Sequence, residues 1–356
     1  MAIDWTSGMS QTFEYYKVDP TSWKDMQRID TVISSSIRRD LSTETLGSAS
    51  FDIAEEIGEC YIRTYLSVIQ NGESDRRPLG TYLVQTPSFG FDGRRAKHTL
   101  EAYTPLLELK ENPPPFGYAL TKGQNVMHYA GNLARDNCRA PVVKVSDDTK
   151  LYDDFISETD DTWLSFLTAL MNNAGYRFDL DEMGRILFAK NIEAEKMQPV
   201  WTFTDDNSSI LLPDVTVNRD LYNIPNKVEV IYTSASKYYQ ATATNTRRSS
   251  PTSTVNRGRT ITYRDLKPGL PGNSTLPQIQ EYAKSLLEQL SSLEYTVTFS
   301  HAYCPARVGD CVRLNYTRAG LNDIRAKIIS QDISCTTGCT VNSTAVYTRK
   351  LWEYKL

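Results

Sequence analysis

Six cysteines occur in the 356 residues, and four of them crowd one late stretch: Cys304, Cys311, Cys335 and Cys339, with His301 close by. Four thiolates could hold zinc or an iron–sulfur cluster. The spacings, C-x6-C and C-x3-C, are not the C-x2-C pairs that make such centres recognisable. Each pair also flanks a turn candidate, 305–310 and 336–338, so either could close as a disulfide in an oxidising exterior. Free thiols, disulfides and a metal site therefore all stay open.

Other chemistry is short of parts. Gly47-Ser-Ala-Ser50 lacks the second glycine of the G-x-S-x-G nucleophile elbow. The three histidines, His98, His128 and His301, sit in no motif that pairs them with a nucleophile, and His98 and His128 read as structural. No G-x-G-x-x-G or G-x-x-x-x-G-K-[ST] phosphate cradle occurs. Asp179-Leu-Asp-Glu-Met-Gly184 has a distant likeness to a calcium loop, but Met183 takes an oxygen position and no glutamate closes the loop. A hairpin turn explains those residues better. Asp205-Asp-Asn207 reads as a turn and Asp147-Asp148 as a solvated loop. Four N-x-[ST] triplets, at Asn207, Asn273, Asn315 and Asn342, are what chance gives in so polar a chain. No catalytic, cofactor-binding or metal-binding residue is nominated, and the expectation is a protein that is not an enzyme and carries no cofactor.

Composition narrows the class. Thirty-nine basic against 43 acidic residues give a net charge of −4, which argues against a grip on nucleic acid through a strongly basic surface. No apolar run reaches the roughly 20 residues a spanning helix needs. The start, MAIDWTSGMS, lacks the apolar core of a signal peptide. Twenty-one tyrosines favour sheet and contact surfaces, and the length suits two or three domains.

The elements that would position any site read as mainly β with an α+β insert. Residues 1–25 form an aromatic arm (Trp5, Phe13, Tyr15, Tyr16, Trp23) expected to dock on its own core or on a neighbour. Residues 26–112 show short strands at 31–37, 61–69 (ended by Asn71-Gly72), 80–85 and 95–103, with Asp92-Gly93 as a hairpin signal. Asn112-Pro-Pro-Pro115 marks a boundary. The insert, 113–213, carries helical stripes at Val126, Met127, Ala130, Leu133 and Ala134 and at Trp163, Phe166, Leu167 and Leu170, the second ending at Gly175. A hairpin follows over 176–180 and 185–189. In 214–356, strands are expected at 227–232, 238–244, 258–263, 295–300, 308–314, 324–333 and 344–352. A polar loop at 247–257 is expected to be exposed, and a helix at 276–292 opens with a Thr275–Gln278 capping box. The predicted layout is two small β-barrels around a small α/β insert.

Order and texture over most of the chain resemble the baseplate or tail-tip hub proteins of tailed bacteriophages, which share a fold with the N-terminal part of type VI secretion spike proteins. The resemblance rests on Ile37-Arg-Arg-Asp-Leu-Ser-Thr-Glu-Thr-Leu-Gly-Ser-Ala-Ser-Phe-Asp52, Pro78-Leu-Gly-Thr-Tyr-Leu-Val84, Thr162-Trp-Leu-Ser-Phe-Leu-Thr-Ala-Leu170, Ala174-Gly-Tyr-Arg-Phe178, Asn226-Lys-Val-Glu-Val-Ile-Tyr232, Ser250-Pro251 and Val308-Gly-Asp-Cys-Val312. It implies a homotrimer whose two barrels per chain make a tube-like ring of pseudo-sixfold symmetry. Such a ring would sit at the distal end of a virion tail made in the host cytoplasm. It would meet tail tube proteins, the tape-measure protein and tip spike or fibre proteins, with DNA only in transient passage. Spike, peptidase or fibre-binding functions that some relatives carry as C-terminal extensions are expected from separate proteins here. The net charge of −4 would let DNA slide through such a channel without strong adsorption. The alternative is a β module binding cell-surface glycan or receptor through its tyrosines.

Overall fold

The computed structural model describes residues 3–350 apart from 92, 94, 95, 191, 220–223, 235, 236, 267, 269 and 271–273. It divides into two compact units: Met1–Val215 with Thr298–Ala345, and Thr216–Val297 with Val346–Leu356. Of the expected features, Asp92, Arg95, Asn273 and the end of the last strand at 351–352 lie outside the described residues, while Gly93 has the positive φ (+90°) of a hairpin turn.

The first unit opens with β1 (Ser10–Val18), β2 (Asp25–Arg28), β3 (Val32–Asp40), β4 (Gly47–Ile53), β5 (Tyr61–Gln70), β6 (Glu73–Phe91) and β7 (Ala96–Tyr103). The aromatic arm is not free: β1 lies antiparallel on β5 from Ser10↔Ile69 to Val18↔Tyr61. Trp5 is buried edge-on to Tyr303, with ring centroids 5.3 Å apart. Between β5 and β6 the chain reverses in two residues, Asn71 and Gly72. Both have positive φ (+52° and +84°), which the right-handed twist of the flanking strands requires. β5 is buried on both sides. Tyr61 faces a core shared with the insert, whereas Ile62, Leu66 and Val68 face a second core with Phe51, Leu79 and Leu100.

The insert holds α1 (Leu107–Glu111), β8 (Ala119–Leu120), α2 (Val126–Asn137), β9 (Phe155–Ile156), α3 (Trp163–Asn172), β10 (Tyr176–Leu180) and β11 (Ile186–Lys190). The cap of α2 is Asn125, whose side chain accepts from His128 N at 2.8 Å. α3 starts with a Thr162–Ser165 capping box, and Gly175 follows it with φ +70°. Both apolar stripes pack into one core with Tyr176, Phe178, Ile186 and Phe188 of the β10–β11 hairpin.

The remaining strands are β12 (Trp201–Thr204), β13 (Leu211–Arg219), β14 (Lys227–Ser234), β15 (Lys237–Thr244), β16 (Thr262–Asp265), β17 (Ser292–Ala302), β18 (Cys311–Tyr316), β19 (Leu321–Ser334) and β20 (Thr340–Lys350), with α4 (Thr254–Arg257) and α5 (Leu276–Leu290) among them. Along β17, Tyr295, Val297 and Phe299 are buried in alternation, as their spacing predicts. In the second unit, β14 pairs antiparallel with β15 and parallel with β16. α5 covers that small sheet, packing Ile279, Ala283 and Leu287 on Val228, Val230, Tyr232 and Ala241. Two local expectations fail here. Residues 258–261 are not strand, because Gly258 ends α4 in the left-handed region. The polar loop is not simply exposed: Ser250, Thr252 and Ser253 are 0% exposed, with Ser250 Oγ accepting from Asn245, Thr252 O from Asn226 and Ser253 Oγ from Asn256 N.

Hydrogen bonding orders thirteen strands as β13-β17-β20-β19-β3-β4-β7-β6-β5-β1-β2, with β18 on β19 and β12 on β18. β12 runs parallel to β18, and β18, β19 and β3 pair antiparallel in turn. Among the described residues this path does not close on itself. Of the expected mainly β fold with two small barrels, the structure shows the mainly β character: the β19–β3 ladder, Ser330↔Asp40 through Ser334↔Ser36, joins late and early strands in one mainly antiparallel sheet.

Candidate functional site

A cluster of charged side chains in the first unit surrounds the β10–β11 turn, the segment that reads as a hairpin rather than a calcium loop. Asp181 shapes the turn, accepting from Arg185 N at 2.8 Å, while Gly184 N donates to Asp181 O at 2.9 Å. Gly184 is obligatory on two counts. Its φ is +75°, and a Cβ there would stand 2.7 Å from Thr81 Cβ and 3.2 Å from Trp23 Cζ2.

The Met183 carbonyl at the tip accepts from Trp23 Nε1 at 2.7 Å and from Arg63 Nη2 at 3.1 Å. Arg63 is 1% exposed, an unusual place for a guanidinium, and it is held by Thr81 Oγ1 (2.9 Å) and the Asp25 carboxylate (2.7 Å). Tyr65 OH donates to the other Asp25 oxygen at 2.8 Å. One residue back in the turn, Glu182 lies between Arg39 (3.3 Å) and Arg307 (3.4 Å). Arg307 also pairs with Asp179 and donates to Leu180 O, while Arg39 donates to Leu79 O. Burial would pull the Arg39 guanidinium down, but Glu182, Tyr82 and Tyr303 together hold it above its ordinary value. A cavity of about 40 Å³ remains between Arg39, Tyr82, Glu182 and Arg307. In this arrangement the hydroxyls Thr81 Oγ1 and Tyr65 OH are engaged with Arg63 and Asp25. The arrangement is a clamp that fastens the insert's hairpin to β3, β5, β6 and the segment before β18, and removing Asp25 from the buried Arg63 would cost about 3–5 kcal/mol.

The late cysteines do not form a common site. Cys304, Cys311, Cys335 and Cys339 are all buried free thiols. Cys311 Sγ donates to Ala194 O at 3.5 Å. Burial pushes Cys304 and Cys339 up to about 12 and Cys335 to about 11, so the nucleophilic thiolate is scarce at neutral pH. Among the described residues no group of three or more His, Cys, Asp or Glu could hold a metal ion.

His98 is half-buried against Phe89, ring centroids 5.2 Å apart, and His128 is exposed, its Nε2 3.0 Å from Asn132 Nδ2. His301 makes a contact that sequence reasoning missed. Its Nδ1 lies 2.7 Å from Ala302 O, and since a carbonyl only accepts, Nδ1 carries the proton and Nε2 accepts from Ser343 Oγ at 2.8 Å. The separation of 42 positions along the chain left no local signal. A serine hydroxyl on a histidine nitrogen resembles a nucleophile and its base. Both side chains are 0% exposed, however, so neither meets a substrate, and the pair is a polar pin in an apolar core.

The accessible candidate surfaces are apolar and β-edged. β5 pairs with β6 only as far as Leu83, and β7 takes the other edge of β6 out to Phe91. Phe89 and Phe91 are 67% and 64% exposed on that ribbon, and Phe116 and Tyr152 of the insert are 93% and 86% exposed. Single exposed apolar residues are ordinary, but aromatics on a projecting ribbon are what protein contacts use. No helix among the described residues is long and apolar enough to cross a membrane.

No protein-family model matches the chain, and no curated protein matches it in sequence. The fold does have relatives among solved structures. The tail protein from Neisseria meningitidis MC58 is similar at a TM-score of 0.63 and 16% identity, over 94% of this chain and 96% of that one. The 43 kDa tail protein of prophage MuSo2 from Shewanella oneidensis is similar at a TM-score of 0.65 and 12% identity, over 95% and 98%. At these identities it is the fold that is shared: this chain has, over nearly its whole length, the mainly β fold of those two tail proteins.

Proposed function

We infer that this chain is a structural, non-enzymatic component of a bacteriophage tail: a hub that assembles as a homotrimer, joins the tail tube to the distal tip and surrounds the DNA exit channel. The observation that carries this reading is the full-length likeness in fold to two tail proteins, with almost none of either chain left over. The chemistry agrees with it, since the most elaborate side-chain cluster is a clamp and the Ser343–His301 pair is sealed from substrate. In a trimer, the two β-rich regions at 26–112 and 214–356 would alternate around the ring and so match a sixfold tube above. Its neighbours would be the distal tube proteins, the tape-measure protein and a spike or fibre protein at the tip. The exposed Phe89–Phe91 ribbon is the surface best suited to such contacts.

Native mass spectrometry of tail tips assembled with this chain tests the reading. Copy numbers in multiples of three are expected; any other stoichiometry, or absence of the chain from purified tails, overturns it.

A further inference from the structure

One stretch of the second unit departs from the charge of the rest. Residues 230–264 contain six basic side chains (Lys237, Arg247, Arg248, Arg257, Arg259, Arg264) and no aspartate or glutamate, in a chain whose net charge is −4. Four of those arginines stand on the loop from β15 to β16, and the loop is built rather than loose. Asn226, fully buried, donates to Thr252 O at 3.2 Å and to Arg259 O at 2.9 Å and accepts from Ile261 N at 2.8 Å. Asn245 donates to Ser250 Oγ at 2.9 Å. Asn256 donates to Arg248 O at 2.9 Å and to Ser250 O at 2.7 Å. The backbone that carries Arg248 and Arg259 is thus fixed from inside by amides and hydroxyls.

Outside, Arg247, Arg248 and Arg259 are exposed, and Arg248 and Arg259 have no carboxylate within ion-pair distance among the described residues. Arg257 leans inward, donating to Ile224 O at 2.8 Å. Burial and then the charge of Arg259 pull its guanidinium below the ordinary value, a repulsion that an anion would relieve.

We propose that the loop 245–260 binds the phosphate backbone of DNA, without reading its sequence. Three features favour a polyphosphate over an acidic protein. The exposed side chains able to donate to phosphate oxygens are Thr246, Arg247, Arg248, Ser249, Arg259 and Thr260, and Val255 is the exposed apolar side chain among them. A protein partner would need an aromatic or large aliphatic anchor at the centre of the contact, and the loop offers only the small Val255. A preset backbone also lowers the ordering cost of binding to a ligand that slides. The choice of DNA among polyphosphates rests on the tail reading above.

The test uses the full chain and a fluorescein-labelled, random-sequence duplex, followed by anisotropy between about 50 and 200 mM salt. Three phosphate contacts give a slope of log K against log salt of about −2.7 per bound chain. Arg247→Gln/Arg248→Gln/Arg259→Gln should bring that slope close to zero. Arg135→Gln/Lys144→Gln/Lys150→Gln, which removes as much charge from exposed positions of the insert, should leave it unchanged. Should the loop triple fail to fold, the single changes Arg248→Gln and Arg259→Gln should each lower the slope by about 1. Equal loss in both triples, no binding by the unaltered chain at low salt, or displacement of the duplex by polyglutamate at equal charge would each overturn the proposal. Stoichiometry is measured separately, so intact trimers that ignore DNA refute this inference and leave the tail reading standing.

Discussion

Acid should weaken this protein through one side chain, His301, and the size of the effect follows from its surroundings. The ring is fully buried, donates through Nδ1 to Ala302 O, accepts at Nε2 from Ser343 and lies 4.7 Å from the Phe203 ring. Burial lowers its pKa from 6.5 to about 4. Because the folded value is the lower one, the unfolded chain takes up a proton that the native protein refuses. The stability is therefore complete above about pH 6.5 and is lost as pH falls toward about 4. A gap of about 2.5 units is worth about 3 kcal/mol in all, of which about 2.5 kcal/mol is gone by about pH 4.5. Carboxylates such as Asp147, held at about 2 by Thr149 and Lys190, titrate too, so the histidine must be isolated by difference. His301→Phe keeps an aromatic ring beside Phe203 and Phe299, loses both hydrogen bonds and has nothing to titrate. It should be about 2–4 kcal/mol less stable at neutral pH. Urea unfolding followed by tryptophan fluorescence at constant ionic strength should show that deficit shrinking by about 2–3 kcal/mol at about pH 4.5. Two curves that fall in parallel would refute the reasoning.

The remaining expectations concern the clamp and the thiols. Gly184→Ala sets a Cβ against Thr81 and Trp23 at positive φ and should cost about 1–3 kcal/mol, read as a lowered urea midpoint at unchanged slope. An unaltered midpoint would mean that the hairpin tip is not seated as described. With a maleimide at mildly alkaline pH, the native chain should label only at Cys60, which is half-buried, and slowly, because burial raises its pKa as well. All six thiols should label in urea; rapid native labelling of Cys335 or Cys339 would contradict their burial.

Much of the fold can be read from pattern alone. Tyr295, Val297 and Phe299 announce β17, and Asp181 to Gly184 announce the turn between β10 and β11. Local chemistry carries such signals, and the helices follow from their caps and stripes for the same reason. What stayed hidden depends on partners far away in the chain. Arg63 sits within Tyr61-Ile-Arg-Thr-Tyr65, where alternation implies an exposed charge, yet Asp25, Thr81 and Met183 bury it. Within the loop at 247–257 the Ser250 hydroxyl satisfies Asn245 and the Thr252 carbonyl satisfies Asn226, and composition cannot tell such inward polar groups from solvated ones. Early and late strands read as two sets along the chain, and only the β19–β3 register reveals the sheet that joins them.

That same β19–β3 ladder sets a schedule for synthesis. Asp40 leaves the ribosome about 290 residues ahead of its partner Ser330, an interval of roughly 15–60 s at common elongation rates. Throughout that interval the edge of β3 that β19 will cover, carrying Ile37, has no native partner and can pair with any other nascent strand. Polysomes crowded with copies of this chain are then where it is most exposed to mispairing. Arg38, Arg39 and Asp40 at the end of β3 place charge on that waiting edge, which discourages the wrong neighbour until the right one is made.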